Sequence, residues 1–371
     1  MGVDAELKDA TALFGKDLVA AEQRLRDLLA VRESARKPDP GRVVAVQTVL
    51  WMVEMALDRP EEALRLVDAA RSLVESDRRP PLNRVLGLRS MAATTHLLCG
   101  RFALAEAELA DVAKLYGACS APTPSTVKAY FASRIVYSRL LSAQARFGEA
   151  VAFVDDLVPR LVMVLGAQHK LVYRTLLLRA DVLAVLGRYE QAESECRALL
   201  AVRPGSVPEV ERAGSACGLA YCLVETGRAA EAETVLRDLL APSERDHPTG
   251  PVTTTLRREL ANALSRQGRY EEALALVEAA PTRALDAPGR HCFQRATALH
   301  GLGRRTEAEA AAEEALVAAR AALAPAHIAV LEIRTVLARI RDTPEEWAPV
   351  TADWLTHYGP DHPRTRAAAD H

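Results

Sequence analysis

The sequence has few aromatic residues and very little lysine. Of its 371 residues only 17 are Phe, Tyr or Trp, and 6 are Lys against 41 Arg. The longest apolar stretch, residues 43–57, is interrupted by three polar residues and is too short to cross a bilayer. The first residues lack the basic and apolar regions of a secretory signal peptide. We therefore expect a cytoplasmic protein that does not bind membranes.

The sequence also lacks recognisable catalytic and metal-binding motifs. Its six cysteines form no Cys-x-x-Cys pair and no cluster with histidine at zinc-ligand spacing, so we expect buried thiols, no metal and no cofactor. No phosphate-binding glycine loop, Gly-x-Ser-x-Gly turn or His-Glu-x-x-His helix is present. The 47 basic and 49 acidic residues nearly balance, which argues against a nucleic-acid protein on net charge. We expect no catalytic residue.

What the sequence does contain is a repeated phrase. Clear copies begin at Gly100, Gly187, Gly227, Gly268 and Gly303, and weaker copies begin at Gly15, Asp58 and Ala145. Successive starts lie 35 to 45 residues apart, a spacing typical of repeat proteins. An alanine stands five residues after every start, and a basic residue directly follows every start. From the start at Gly100 onward, a small residue stands seven positions before each start.

These positions have a physical interpretation as a helix hairpin. The start residue ends a first helix in the left-handed conformation, which glycine adopts most easily. The basic residue beside it suits the negative end of that helix dipole. Small residues on both helices allow the two axes to approach closely. Trp51 and Lys8 replace the small residue in the first two hairpins, so we expect different packing there and an exposed N-terminal helix.

The pattern resembles the tetratricopeptide repeat, and its length resembles the longer repeats of kinesin light chains and of actinobacterial regulatory proteins. Pieces such as residues 165–169 and 358–365 resemble the LGPDHPxT connector of those long repeats. Their histidines are expected to cap the next helix, and the four connector histidines are His169, His247, His327 and His362.

The resemblance implies an all-α fold, a right-handed superhelical solenoid of antiparallel helix hairpins. It has about eight tetratricopeptide-like units plus a C-terminal capping hairpin. We expect a single domain over 1–371, with less regular units over 1–86, regular repeats over 87–320 and a cap over 321–371. Within the cap, Trp347 and Trp354 are seven residues apart and should share one helix face. Boundaries between units are expected where Pro, Gly and Ser collect, including 241–251 and 281–289.

The resemblance also implies a binding groove on the concave face, which the first helices line. The candidate groove residues are Arg139, Arg174, Asp181, Tyr221, Glu225, Arg258, Asn262, Arg266, Arg290, Phe293 and His300. Five of them are arginines, which would concentrate positive field on one wall and suit bidentate capture of a carboxylate. The alternative is that these arginines are simply solvated on an arginine-rich surface.

On this basis we expect a non-catalytic scaffold or regulator that binds a protein or peptide partner, acidic or carboxylate-bearing. The alternative is a regulatory module that senses a small ligand or a signal peptide. An all-helical enzyme is less favoured because no reacting constellation is present. RNA binding is also less favoured, because only Tyr221 and Phe293 offer stacking planes in the groove.

Overall fold

The structure is a computed structural model that describes residues 5–13, 17–37, 39–203, 205–280 and 288–370. Within these ranges the chain forms nineteen α-helices and no β-strand, which confirms the predicted all-α repeat architecture. The described residues divide into two compact units, one ending at Leu140 and the other beginning at Leu141. The single domain stays a prediction. The predicted turn at Gly15 and most of the boundary at 281–289 lie outside the described residues.

The first unit consists of helices that pack as consecutive hairpins. Its helices are α1 (Ala5–Ala12), α2 (Leu18–Glu33), α3 (Pro40–Ala56), α4 (Pro60–Glu75), α5 (Leu82–Leu98) and α6 (Phe102–Gly117), followed by α7 (Pro124–Ala143), which continues into the second unit. α1 packs on α2, α3 on α4 and α5 on α6, and successive hairpins meet through α2 with α3 and α4 with α5. Such contacts between sequence neighbours are those of a repeat array.

The second unit continues the same arrangement. Its helices are α8 (Phe147–Leu165), α9 (Lys170–Val185), α10 (Tyr189–Ala201), α11 (Glu209–Glu225), α12 (Ala229–Asp246), α13 (Pro251–Arg266), α14 (Tyr270–Glu278), α15 (Arg290–Gly301), α16 (Arg305–Ala322), α17 (Ile328–Arg341), α18 (Pro344–Tyr358) and α19 (Pro363–Ala369). The hairpins from α9/α10 to α17/α18 each pair a first helix with a second helix. The first helices α9, α11, α13, α15 and α17 also contact one another in that order. We call the surface that these five helices form the first-helix wall.

The turn inside each hairpin has the backbone geometry that the sequence pattern predicts. A positive φ of 68–79° is found at Gly100, Gly187, Gly227, Gly268 and Gly303. At the weaker copies, Asp58 and Ala145 adopt the same left-handed conformation, with φ of 59° and 60°. The next N–H then reaches back to the helix, as when Arg188 donates to the carbonyl of Leu183 at 2.9 Å. These hydrogen bonds are those of a Schellman helix end.

Small side chains occupy the contact between the two helices of a hairpin, as predicted. No surface is exposed at the alanines five residues after the turn, which are Ala63, Ala105, Ala150, Ala192, Ala232, Ala273 and Ala308. The small residues seven before it are at most 2% exposed, namely Ala93, Ser138, Ala180, Ala220, Ala261 and Ala296. The first hairpin is shifted by one residue, because Ala21 rather than Ala20 is buried. Trp51 is half-buried and donates its indole N–H to Thr95 Oγ1 at 2.9 Å, while Lys8 is exposed.

The basic residue after the turn has a different role from the expected one. Arg269 donates to both carboxylate oxygens of Glu272, three residues later, at 2.7 and 2.6 Å. It also donates to Glu233 on the preceding second helix at 2.8 Å. The same link between successive second helices joins Arg59 to Glu22, Arg101 to Glu61 and Arg228 to Glu193. These side chains thus bind carboxylates of the second helices, and Arg59 also lies 3.5 Å from Glu54 near the end of the first helix α3, a role beyond the expected dipole interaction.

Three of the four connector histidines cap the next helix, as predicted. Nδ1 of His169, His327 and His362 accepts the N–H two residues later at 3.1–3.2 Å. His247 differs, because it follows the end of α12 and its carbonyl accepts the Thr253 hydroxyl at 2.6 Å. Since α12 passes through a proline and continues to residue 246, the predicted boundary at 241–251 begins too early.

The C-terminal region contains the predicted hairpin and one further helix. Trp347 and Trp354 are both buried in one cluster with Leu331 and Val350, which confirms their shared face. The segment 358–365 was expected to be a connector only, but it leads into α19. The Thr365 hydroxyl of α19 donates to the carbonyl of Trp354 at 3.3 Å, so α19 is anchored on α18.

The cysteines and the long helices show no specialised chemistry in the part of the chain that the structure describes. All six cysteines are free thiols, of which Cys196 and Cys222 are buried and the other four half-buried. No described group of three or more His, Cys, Asp or Glu is placed to hold a metal ion. None of the described helices is both long and apolar enough to cross a membrane.

Candidate binding site

The first-helix wall is closely packed, and two glycines of α11 make this possible. A Cβ at Gly214 would lie 2.6 Å from Leu177 Cδ2 on α9, and a Cβ at Gly218 would lie 3.0 Å from Cys196 Sγ. A larger residue at either position would force Leu177 or Cys196 to shift, so glycine favours this close approach of α11 to the preceding hairpin. Ten of the eleven predicted site residues lie on this wall. The eleventh, Arg139, is exposed on α7 in the first unit.

Three of the predicted arginines are paired with largely buried glutamates. The pairs are Arg174 with Glu211 at 2.6 Å, Arg266 with Glu225 at 2.9 Å, and Arg290 with Glu259 at 3.0 Å. The three glutamate side chains are 6–13% exposed. Their charges offset the positive field that the sequence predicts for this surface. The acidic character of the partner therefore stays a prediction, which these ion pairs do not support.

Arg258 and Asn262 lie one turn apart on α13 but differ in exposure. Arg258 is only 3% exposed and donates from Nη2 to Thr255 Oγ1 at 3.3 Å. Asn262 is half-buried and makes no hydrogen bond with any residue that the structure describes. Of this predicted pair, Asn262 is the side chain that remains open to a ligand.

Glu225 and Glu332 form an acidic centre on the wall, and Arg364 of α19 fills it. Arg364 lies 2.7 and 2.8 Å from the two carboxylate oxygens of Glu225, through Nε and Nη2. Its Nη2 is also 2.8 Å from Glu332 Oε1. Arg290 approaches the other oxygen of Glu332 at 3.7 Å. Although burial opposes it, the charges of Arg364 and Arg266 hold the pKa of Glu225 below its ordinary value.

Two tyrosines complete this centre. The Tyr221 hydroxyl donates to Glu332 Oε1 at 3.2 Å, and the Tyr189 hydroxyl lies 3.5 Å from Glu225 Oε2. Their rings meet edge to face, with centroids 6.3 Å apart. Burial, together with the nearby glutamates, raises the pKa of both hydroxyls. Both therefore remain protonated donors at neutral pH, as the carboxylates require.

The residues before α19 also rest against the wall. His362 Nδ1 accepts the N–H of Arg364, so the neutral ring carries its proton on Nε2, which donates to the carbonyl of Val185 at 3.1 Å. Pro363 lies over Gly187, where a Cβ would be 2.9 Å from Pro363 Cδ. The segment 362–364 is therefore seated on α9, α11 and α17 at once. We call residues 358–370 the C-terminal segment.

Asp181 is the one carboxylate among the predicted site residues that has no polar partner in the described structure. It is solvent-exposed on α9, and it makes no hydrogen bond or ion pair with the described residues. Although the residue as a whole is exposed, burial of its carboxyl group raises the pKa to about 7. Asp181, Tyr221 and Asn262 occupy the same position, six residues before the turn, in three successive first helices.

The last two predicted residues lie on α15. The guanidinium of Arg290 stands over the half-buried ring of Phe293, 5.5 Å from its centroid. His300 is exposed, and partial burial together with the charges of Arg339 and Arg305 lowers its pKa. The structure thus brings Tyr221, Glu225, Arg266, Arg290 and Phe293 into one connected group. It leaves Arg174, Asp181, Asn262 and His300 outside that group's hydrogen bonds and ion pairs.

The sequence interpretation missed the two residues that connect this group. Glu332 falls in the predicted cap with no role of its own, and Arg364 falls in a predicted connector. A weak signal existed for Glu332, since it is the single acidic residue in the run 328–341. Nothing in the repeat pattern marked Arg364, because its partners lie more than 30 and more than 130 residues away in sequence.

A separate cavity of about 520 Å³ lies between α12, α13 and α14. Leu240, Leu260 and Leu276 line it, and Arg237 and Glu272 stand at its edge. It contains none of the predicted site residues, and it is formed partly by second helices rather than by the first-helix wall.

Comparison with known proteins identifies the repeat. The family model described as tetratricopeptide repeat matches residues 173–198, 213–238, 255–279 and 289–314. A crystal structure of Rap protein complexed with competence and sporulation factor covers 99% of this chain and 97% of its own, at 10% identity and a TM-score of 0.53. The apo form of the quorum sensor NprR from B. thuringiensis covers 95% and 97%, at 12% identity and a TM-score of 0.51. No curated protein sequence matches the chain.

These matches and the hairpin geometry agree. The four matched segments coincide with the hairpins that turn at Gly187, Gly227, Gly268 and Gly303. The hairpins with turns at Asp58 and Gly100 share the same left-handed residue and the same buried alanine. The two solved structures show that the fold is shared, while the long-repeat subtype stays a prediction. Residues 173–198, 213–238, 255–279 and 289–314 therefore form tetratricopeptide repeats within this all-α array.

Proposed function

We propose that this protein is a non-catalytic scaffold or regulator that binds a protein or peptide segment along the first-helix wall. One observation carries the proposal. Asp181 and Asn262 flank Tyr221 at the same position of successive first helices, and neither has a hydrogen-bond partner in the described structure. The charged side chains of the connected group are paired with each other, whereas Asp181 and Asn262 lie outside those pairs and are left for a ligand.

The chemistry of these two side chains suits a peptide. The Asn262 amide can donate and accept at once, which matches the N–H and C=O of a peptide group. The Asp181 carboxyl has a pKa of about 7, so it is partly ionised at neutral pH and accepts a backbone N–H in its charged form. Two such contacts at a fixed separation hold a chain in one register. Apolar neighbours such as Leu177 would then meet its side chains.

The alternative of a module that senses a signal peptide or small effector uses the same wall. The fold likeness to Rap protein complexed with competence and sporulation factor, and to a quorum sensor, supports keeping it. RNA binding has no such support, because the Phe293 face carries Arg290 and the Tyr221 hydroxyl is held by Glu332. Neither stacking plane is freely available.

Site-specific photocrosslinking in the native host tests the proposal. A benzophenone side chain at Asn262 should attach covalently to a polypeptide, and the same group at exposed Ala230, on the second helix α12, should not. Replacing Asp181 with Asn in the Asn262 probe strain should reduce the yield several-fold. Equal crosslinking from both positions would contradict the proposal. A co-purifying small molecule in place of a crosslinked polypeptide would favour the effector-sensing alternative.

A further inference from the structure

The acidic centre on the first-helix wall is a built arginine site that the protein fills with its own side chain. We propose that an arginine of the bound partner segment displaces Arg364 from Glu225 and Glu332. The C-terminal segment is then an intramolecular competitor for the wall. This inference rests on the proposed function, since it names the partner's anchoring residue and the contact that regulates access to it.

The geometry of the site defines the chemical group that it takes. Two carboxylates and a planar guanidinium meet within 2.7–2.8 Å, so charge and directional hydrogen bonding both act on the occupant. The Tyr221 hydroxyl donates to Glu332 and the Tyr189 hydroxyl lies 3.5 Å from Glu225, so both stand beside the acceptor oxygens. A guanidinium satisfies this fork of oxygens, whereas a lysine ammonium presents a single point charge.

The occupant must carry a positive charge, because Glu332 depends on it. Glu332 is 5% exposed, and apart from Arg364 its nearest ion-pair partner is Arg290 at 3.7 Å. Arg290 itself lies closer to Glu259, at 3.0 Å. Arg339 is near enough to Arg364 for their charges to repel, but it makes no ion pair with either carboxylate in the described structure. Removing Arg364 without replacement would leave a buried carboxylate poorly compensated, which is strongly unfavourable.

Arg364 does not satisfy the site completely. Its Nε is buried and lies 2.7 Å from Glu225 Oε2, yet the N–H is not aligned to form a hydrogen bond with it. A buried donor without a hydrogen bond destabilises the occupied state. An arginine that enters along the wall is not constrained by α19 and can align both N–H edges. This difference favours exchange.

The attachment of the C-terminal segment is also suited to exchange. Its contacts with the wall are mostly polar, through His362 and Arg364. The helix α19 is anchored on its own hairpin, where Thr351 donates to the carbonyl of Ala368 and Thr365 donates to that of Trp354. The wall contacts can therefore be lost while α19 stays attached to α18.

The probe is the acetylated and amidated tripeptide Pro-Arg-Thr, which reproduces residues 363–365. The matched control peptide contains citrulline, the neutral isostere, in place of arginine. With the full-length Arg364→Ala variant, the arginine peptide should raise the melting temperature by several degrees, and the citrulline peptide should bind at least tenfold more weakly. The double variant Arg364→Ala/Glu332→Gln should respond to neither. Equal responses to the two peptides would overturn the arginine site.

Exchange is tested on the unmodified protein. Excess arginine peptide should accelerate amide hydrogen exchange in residues 363–370 of the wild-type chain, and the citrulline peptide should not. If the peptide stabilises Arg364→Ala but leaves the wild-type segment unchanged at saturation, Arg364 is a fixed structural residue and the competition is wrong. Photocrosslinking at Asn262, which does not contact Arg364, separates this failure from failure of the proposed function.

Discussion

At the scale of single residues, the hairpin turn depends on backbone conformation more than on residue type. Five turns use glycine, while Asp58 and Ala145 adopt the same positive φ despite the strain that a Cβ brings. Left-handed backbone costs a non-glycine residue about 1–2 kcal/mol. Introducing glycine removes this cost, but the greater entropy of glycine in the unfolded state offsets about 0.5–1 kcal/mol of that benefit. Turns with Asp or Ala are thus sites where the natural sequence is not at its most stable.

This reasoning predicts opposite effects at two equivalent turns. Ala145→Gly should raise the free energy of unfolding by about 0.5–1 kcal/mol, because it removes the strain of positive φ. Gly227→Ala should lower it by a similar amount, and no clash adds to the effect because no atom lies within 4 Å of the new Cβ. Urea denaturation midpoints measure both. A shift of both variants in the same direction would show that the turn conformation is not what decides their stability.

His327 links the stability of the second unit to pH. Its Nδ1 caps α17, and its ring packs against Phe147 with centroids 5.4 Å apart. Burial lowers the pKa of His327 to about 4, below the value near 6.5 of an unfolded chain. The folded state therefore binds fewer protons in this interval, and the contribution is fully present above pH 6.5. It is lost as the pH falls from 6.5 towards 4.

We therefore expect His327→Asn to flatten the acid limb of the stability profile. Asparagine keeps an N-cap acceptor but does not titrate. Melting temperatures of wild type and variant, measured at pH 7.5 and 4.5, should differ in their dependence on pH, with the smaller loss in the variant. His362 also has a pKa lowered by burial, so some acid sensitivity should remain. Parallel losses in both proteins would contradict this role of His327.

At the scale of helices, features that recur in each hairpin could be predicted from the sequence, whereas contacts that occur only once could not. The buried alanines and left-handed turns could be found because each is fixed by contacts inside one hairpin, and the hairpin is repeated. Arg364 could not, because it lies outside the hairpins and pairs across the fold. Glu332 lies ten residues before the left-handed Asp342, as Arg258 lies ten before Gly268, but that last turn has no glycine to mark it. The helix α19 was missed because a seven-residue segment that begins with a proline gives too little periodicity to distinguish a helix from a connector. Burial of Arg258 was missed for another reason, since the inward phase of α13 had to be carried over from the resemblance.

A matched pair on α10 tests the packing of a hairpin. Ala192 has no exposed surface, whereas Ala198 on the same helix is exposed. Ala192→Leu should force the paired helices apart and lower the free energy of unfolding by about 1–3 kcal/mol. Ala198→Leu should change it by less than about 0.5 kcal/mol. Chemical denaturation measures both, and an unchanged midpoint for Ala192→Leu would mean that this position does not face the hairpin seam.

At the scale of the whole molecule, the second unit departs from a purely linear array. In such an array each hairpin touches only its neighbours. Here His362 bonds to Val185, 177 residues away, and the N–H of Ala324 donates to the carbonyl of Ala143 at 2.9 Å. Tyr358 lies beside Phe147, with ring centroids 6.2 Å apart. The C-terminal end of the unit is therefore coupled directly to the helices at its beginning, α7, α8 and α9.

This coupling predicts a long-range effect of a local change. Loss of the wall contacts in the variant His362→Ala/Arg364→Ala should speed amide exchange at the end of α9, around residues 183–188, as well as in α19. A nearest-neighbour array would transmit the change only to α17 and α18. Exchange measured by mass spectrometry on the full chain decides between the two, with residues 60–75 of the first unit as the internal reference. Protection at 183–188 equal to that of wild type would show that the contacts carry no coupling.

The pairing of Arg364 with Glu225 has a consequence for the newly made chain. The two residues are 139 positions apart, so at about 5–20 residues per second the ribosome needs roughly 7–28 s to make Arg364 after Glu225. Hairpins with local contacts fold in far less time. Each nascent molecule therefore presents Glu225 without its own arginine for many seconds, whereas Glu332, which completes the acidic centre, is made only 32 residues before Arg364. During translation the affinity of the wall for a basic segment should be higher than at any later time in the life of the protein.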